Sequence, residues 1–124
     1  MRRYLFLIVF IIFSVTGWAK GKDGYVVATS EAVRADAAWM KVVDALVKKH
    51  KADVIFYKEN IGELQKPLRQ LRPRFVAFVE KPEFLNREYV MEGHRMSRRV
   101  DEDIYADYLW GIITGFSAED AMRL

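Results

Sequence analysis

From Tyr25 onward, short apolar runs alternate with stretches in which apolar residues recur every three or four positions. The runs cover residues 25–30 (YVVATS), 53–58 (DVIFYK), 74–79 (RFVAFV) and 108–114 (YLWGIIT). Their apolar residues follow one another instead of alternating with polar ones. That is the pattern of a strand buried on both faces.

Between the runs the period becomes helical. Residues 31–50 carry Ala35, Trp39, Val43, Leu46 and Val47 on one stripe, with Thr29 or Ser30 placed to cap the start. Lys48, Lys49, His50 and Lys51 fall at the end, where positive charge suits the helix dipole. A second helix is expected from Asn60, with Ile61, Leu64, Leu68 and Leu71 inward. Pro67 inside it requires the helix to begin nearby, because proline lacks the amide of an interior turn. A third helix is expected over 83–99, opened by Pro82, with Leu85, Tyr89, Met96 and Val100 inward. A fourth begins at Ala118, where Ser117 and Asp120 have capping-box spacing.

The order β-α-β-α-β-α-β-α predicts an α/β fold, a three-layer doubly wound sheet that is mainly parallel. The last helix has only seven residues, against an average of roughly 11–12. The expectation is therefore an incomplete sheet, lacking β-α units that would follow.

The first residues follow a different rule. Arg2 and Arg3 precede a twelve-residue apolar run, Tyr4 to Val15, and Gly17-Trp18-Ala19 offers small residues for cleavage after Ala19. These are the parts of a secretory signal peptide. A membrane-spanning helix needs roughly 20 apolar residues, so a cleaved signal is favoured over an uncleaved anchor. The expected division is a signal peptide over 1–19 and an α/β domain over 20–124. The mature product would be exported to a periplasm, a cell surface or the medium, touching membrane only during export.

Composition then narrows the chemistry. The chain has 124 residues, 30% charged and 52% hydrophobic, which excludes a disordered polar chain. It has no cysteine. That excludes disulfides, a thiolate zinc site, a lipid-attachment cysteine and a cysteine nucleophile within this chain. Loss of Arg2 and Arg3 with the leader leaves 18 basic residues against 17 acidic, a formal charge of +1 in place of +3. Lys66, Arg69, Arg72 and Arg74 then read as a solvated face, and no nucleic-acid partner is expected.

In doubly wound sheets ligands bind at the carboxyl ends of the strands. Those ends offer Thr29 and Ser30, Lys58 and Glu59, Glu80 and Lys81, and Thr114 and Gly115. The hydroxyls of Thr29, Ser30 and Thr114 are candidate binding groups, with helix capping as the competing role. No glycine-rich dinucleotide fingerprint or phosphate loop is present, so no nucleotide cofactor is expected. Gly111 and Gly115 read as close-packing and tight-turn positions. His50 reads as a solvated charge at a helix end. His94, three residues before Ser97, is a candidate binding residue or general base, with a surface hydrogen bond as the alternative. Asp101, Asp103 and Asp107 are candidates for a calcium site, without the EF-hand spacing. The alternative is a solvated loop pairing with Arg95, Arg98 and Arg99. No metal, cofactor or catalytic residue is assigned.

One segment carries a resemblance. PRFVAFVEKPEF, the basic HRMSRR and DEDIYADYLWGIITGFSAEDAMR together resemble the early part of the secreted gingipain-like cysteine peptidases, which have a caspase-like α/β fold. The opening YVVATSEA is compatible with that beginning, so the resemblance extends over about residues 24–124. It implies the scaffold only. In that family a histidine and a cysteine on later strands form the catalytic dyad. No cysteine is available here, and His94 falls too early to match the family's histidine. The resemblance thus implies an N-terminal part of such a domain, not proteolytic alone, whose partner would be the remaining C-terminal part. The alternative expectation is a small exported α/β binding or interaction module.

Overall fold

The computed structural model describes residues 24–123; the expected signal peptide lies outside them. Four strands form one sheet: β1 (Tyr25–Ser30), β2 (Asp53–Tyr57), β3 (Phe75–Val79) and β4 (Leu109–Ile113). All are parallel, in the order β2-β1-β3-β4. The α/β fold expected from the alternation is therefore present. The chain winds outward from β1 to β2, then returns across β1 to build β3 and β4. This reversal leaves a switch point between β1 and β3.

The sheet register explains the apolar runs. Ala28 lies between Ile55 and Phe78, and Phe78 lies opposite Ile112. Val26 to Ser30 and Val76 to Val79 are buried, whereas the edge strands β2 and β4 are less covered. Successive strand residues point to opposite faces, and they divide between two apolar clusters. Val26, Ala28, Val76 and Phe78 pack with Leu64, Leu68, Leu71 and Met96. Val27 and Val79 pack with Trp39, Val42, Val43, Leu46, Ala118 and Ala121.

The helices depart from the expected boundaries for local reasons. The stretch 31–50 is two helices, α1 (Glu31–Arg34) and α2 (Ala37–His50). Asp36 breaks it by accepting from the amides of Ala38 and Trp39 at 3.1 and 3.4 Å, which makes it the cap of α2. A side-chain cap of this kind competes with continuation of the helix. Ala35 is accordingly exposed, and Val33 and Val42 take inward positions.

The second helix begins as a 3₁₀ turn over Ile61–Leu64, held by a reciprocal cap between Asn60 and Glu63. It continues as α3 (Gln65–Leu71). Pro67 falls in the first turn of α3, where its missing amide has no intrahelical partner to lose. Pro82 starts only a 3₁₀ turn over Pro82–Phe84. The helix proper, α4 (Arg87–Ser97), is capped by Asn86, which accepts from the Tyr89 amide at 2.9 Å. Ser117 caps the short α5 (Ala118–Ala121) through the Asp120 amide at 3.2 Å. Among the described residues, no helix is long and apolar enough to cross a membrane.

Candidate functional site

The parallel register brings three chain segments to one place. Ser30 pairs with Tyr57, and Thr29 pairs with Val79. Glu80, one residue beyond β3, is thereby set beside Ser30 at the switch point. Ser30 and Tyr57 close β1 and β2, and Glu80 follows β3 by one step, so each side chain is held by strand backbone.

Glu80 is the centre of the arrangement, with an exposure of 1%. Its Oε1 accepts from Ser30 Oγ at 3.0 Å and from the Lys81 amide at 2.8 Å. Its Oε2 accepts from the Tyr57 hydroxyl. Ser30 Oγ also accepts from the Val33 amide at 3.2 Å, capping α1. Tyr57 and Tyr89 hydroxyls lie 2.7 Å apart. Since Tyr57 has a single proton and directs it at Glu80, Tyr89 is the donor in that contact. The order of donation is Tyr89 to Tyr57 to Glu80.

Burial is the main force on both phenols. It raises the Tyr57 pKa far above the usual tyrosine range, and neighbouring Tyr89 and Glu80 push the same way. Burial also raises the Tyr89 pKa, partly opposed by its bond to Tyr57. These groups hold protons firmly, so at neutral pH they donate hydrogen bonds and do not act as bases.

A cleft of about 350 Å³ opens onto this network, lined by Ser30, Tyr57, Lys58, Glu59, Glu80, Phe84 and Tyr89 among others. A second hollow of about 250 Å³ shares Glu59, Phe84 and Tyr89, and adds Asn60, Glu88 and Glu92. Together they present four carboxylates against one lysine, Lys58. Glu92 is partly engaged by Arg95 at 3.2 Å. Lys81 is turned away into a 2.9 Å pair with Asp36. Phe84 is half exposed at the shared wall.

The other candidate residues fall elsewhere. Thr29 is buried and donates to the Val79 carbonyl at 2.8 Å, tying β1 to β3 instead of facing a ligand. Thr114 is exposed at the end of β4, outside the cleft. His94 is exposed on α4. Ser97 is buried and bonds the His94 carbonyl at 2.7 Å, not its ring. His50 is not simply solvated, because its ring stacks on Tyr25 at 4.2 Å between centroids.

The ligand atoms of Asp101, Asp103 and Asp107 converge within 4.8 Å of one another. Their oxygens already serve backbone amides: Asp101 receives from Asp103, Asp103 from Tyr105, and Asp107 from Val100. Among the described residues these aspartates form no ion pair, and Arg95 pairs with Glu92 instead. Gly115 sits in a tight turn, where a Cβ would lie 2.8 Å from the Ala121 amide nitrogen. Gly111 is not a close-packing position, since a Cβ there meets nothing within 4 Å.

Tyr57 and Tyr89 were legible only as core positions of a strand and a helix. Their partnership depends on the register that sets Tyr57 beside Ser30, which no local pattern displays. Comparison with known proteins finds no matching family model, no matching curated protein and no matching solved structure.

Proposed function

We propose that the chain is an exported, non-proteolytic α/β binding unit on a scaffold of gingipain-like kind, and that its joined clefts take a small amine. The carrying observation is the cleft at the β1–β3 switch point, with Glu80 at its base and Glu59, Glu88 and Glu92 along its extension. Carboxylates beside the aromatic rings of Phe84 and Tyr89 suit an organic cation, through charge and through the ring faces. Export is supported by the three-part leader, and the scaffold by the strand–helix order with the 101–121 segment. Proteolysis has no support, because the chain offers no cysteine to serve as nucleophile.

Calorimetric titration of the full chain with putrescine tests the binding role. Saturable binding that weakens about tenfold or more in Glu59→Gln/Glu88→Gln supports it. These exposed side chains can be changed without disturbing the core. No heat of binding, or equal binding to that variant, sinks the amine reading.

A second reading is a subdomain completed by the remaining part of a peptidase domain. It is favoured by one observation: β4 is an edge strand, and its Leu109 is 69% exposed.

A further inference from the structure

The two faces of the sheet are covered unequally at β4. On one face, Trp110 lies under α4. A Cβ on Gly93 would come within 3.2 Å of its ring, and Phe78 meets it edge-on at 5.8 Å. On the other face α5 reaches only the far end, where Ala118 and Ala121 join the cluster that Ile113 borders. The rest is a hollow of about 280 Å³, whose side chains on that face are Tyr25, Phe75, Ala77, Leu109 and Ile113. Gly111 leaves its middle open.

Three observations select an occupant. Residues 1–23 lie outside the described part and join it at Gly24. The Gly24 carbonyl accepts from the amides of Arg74 and Phe75 at 2.8 and 3.2 Å, so the tether starts at the rim of the hollow. The second is reach. Residues 16–23 separate the apolar run from Gly24 and extend up to about 26–29 Å, while β4 lies about 10 Å from β1, two strand spacings away. The third is charge. Before β4, Asp101, Glu102, Asp103 and Asp107 outnumber Arg98 and Arg99, and after it Glu119 and Asp120 outnumber Arg123, which pairs with Asp120 at 3.9 Å. The apolar run 4–15 is bracketed by Arg2 and Arg3 on one side and Lys20 and Lys22 on the other. A second copy joined antiparallel through β4 would set acidic end against acidic end, which repels.

We propose that residues 4–15, while attached, dock in this hollow and cover the open face of β3 and β4. The leader then shields the chain's own apolar surface before any cleavage exposes it. The proposal stands apart from the amine-binding reading, since the hollow and the cleft share no residue.

The absence of native cysteine makes a clean test available. The full chain is made by cell-free synthesis without membranes, carrying Ile8→Cys with Gly111→Cys. A control carries Ile8→Cys with Lys49→Cys. Lys49 is exposed and near the tether, because its neighbour His50 stacks on Tyr25. Under mild oxidation the Gly111 pair should close a disulfide within one molecule about tenfold faster than the Lys49 pair, at a rate independent of dilution. Adding Leu109→Lys should return that rate to the control level. Equal rates in the two pairs overturn the proposal, as do crosslinks forming mainly between molecules or a rate indifferent to Leu109→Lys.

Discussion

The hydroxyl of Ser30 and the carboxyl of Glu80, 50 residues apart in sequence, meet at 3.0 Å across the seam between β1 and β3. The contact joins three levels of the structure. Ser30 ends β1, caps α1 through the Val33 amide and fixes the side chain at the base of the cleft. Glu80 in turn holds the Tyr57 hydroxyl and, through it, Tyr89 on α4. The site is thus braced by a strand end, a helix start and a second helix.

Loss of Glu80 should therefore act on stability first. Glu80→Ala leaves the Ser30 and Tyr57 hydroxyls and the Lys81 amide without their acceptor in a buried place. Buried donors left unsatisfied cost about 1–3 kcal/mol each, partly relieved by rearrangement and water. A net loss of about 2–4 kcal/mol is expected. Glu80→Gln keeps one acceptor oxygen but turns an amide donor toward another donor, and should lose about half as much. Urea denaturation followed by circular dichroism reads both. A Glu80→Ala midpoint unchanged from the parent would contradict the network.

How much of this was legible beforehand depends on the range of the interaction. Val27, Val76 and Phe78 announce buried strands because burial on both faces leaves nothing but apolar residues in sequence. The break between α1 and α2 was hidden, since the apolar stripe runs through it and only the choice of Asp36 to cap the amides of Ala38 and Trp39 decides the matter. The candidate site was half visible. Ser30 and Glu80 were marked by their place at strand ends, a rule of topology. Tyr57 joins them by donating to Glu80, and Tyr89 through its 2.7 Å contact with Tyr57, both set by sheet register and helix placement. Gly111 misled in the other direction: a glycine in a strand suggests close packing, yet here it faces open space.

The tyrosine network gives the protein an alkaline limit. Tyr57 and Tyr89 have pKa values raised in the folded state, chiefly by burial. In the unfolded chain each titrates near about 10. Above that pH the unfolded state loses protons that the folded state keeps, so stability falls as pH rises. It is fully present below about pH 10. Each retained proton steepens the fall by about 1.4 kcal/mol per pH unit. Denaturation midpoints between pH 9 and 12 should decline, and Tyr89→Phe should flatten that decline. An unchanged slope would show that Tyr89 does not share the burden.

The aspartates near β4 should be indifferent to calcium. One oxygen of each carboxylate already receives a backbone amide, and the three oxygens left fall short of the six to eight that calcium takes. Millimolar calcium should leave the melting temperature within about 1 °C, since a site occupied well above its Kd would add stability by mass action. Asp107→Ala, in contrast, should lower the melting temperature without any added ion, because Val100 loses its 2.9 Å acceptor. A rise of several degrees with calcium, abolished by that substitution, would establish a metal site instead.

Two glycines flanking the end of β4 should respond oppositely to the same added methyl group. At Gly115 a Cβ would stand 2.8 Å from the Ala121 nitrogen and 2.8 Å from the Asp120 Cβ. These atoms belong to the backbone and base of α5, which cannot turn aside as a flexible side chain would. Gly115→Ala should therefore displace α5 and weaken its packing of Ala118 and Ala121 on Val79, at about 1–3 kcal/mol. At Gly111 a Cβ meets nothing within 4 Å. In the chain lacking residues 1–19, where no leader fills the hollow, the substitution only restricts the unfolded chain, which favours folding by about 0.4–1 kcal/mol. Paired denaturation curves should move in opposite directions from the parent. A destabilised Gly111→Ala would mean that the hollow beside β4 is already filled so closely that no methyl group can be added.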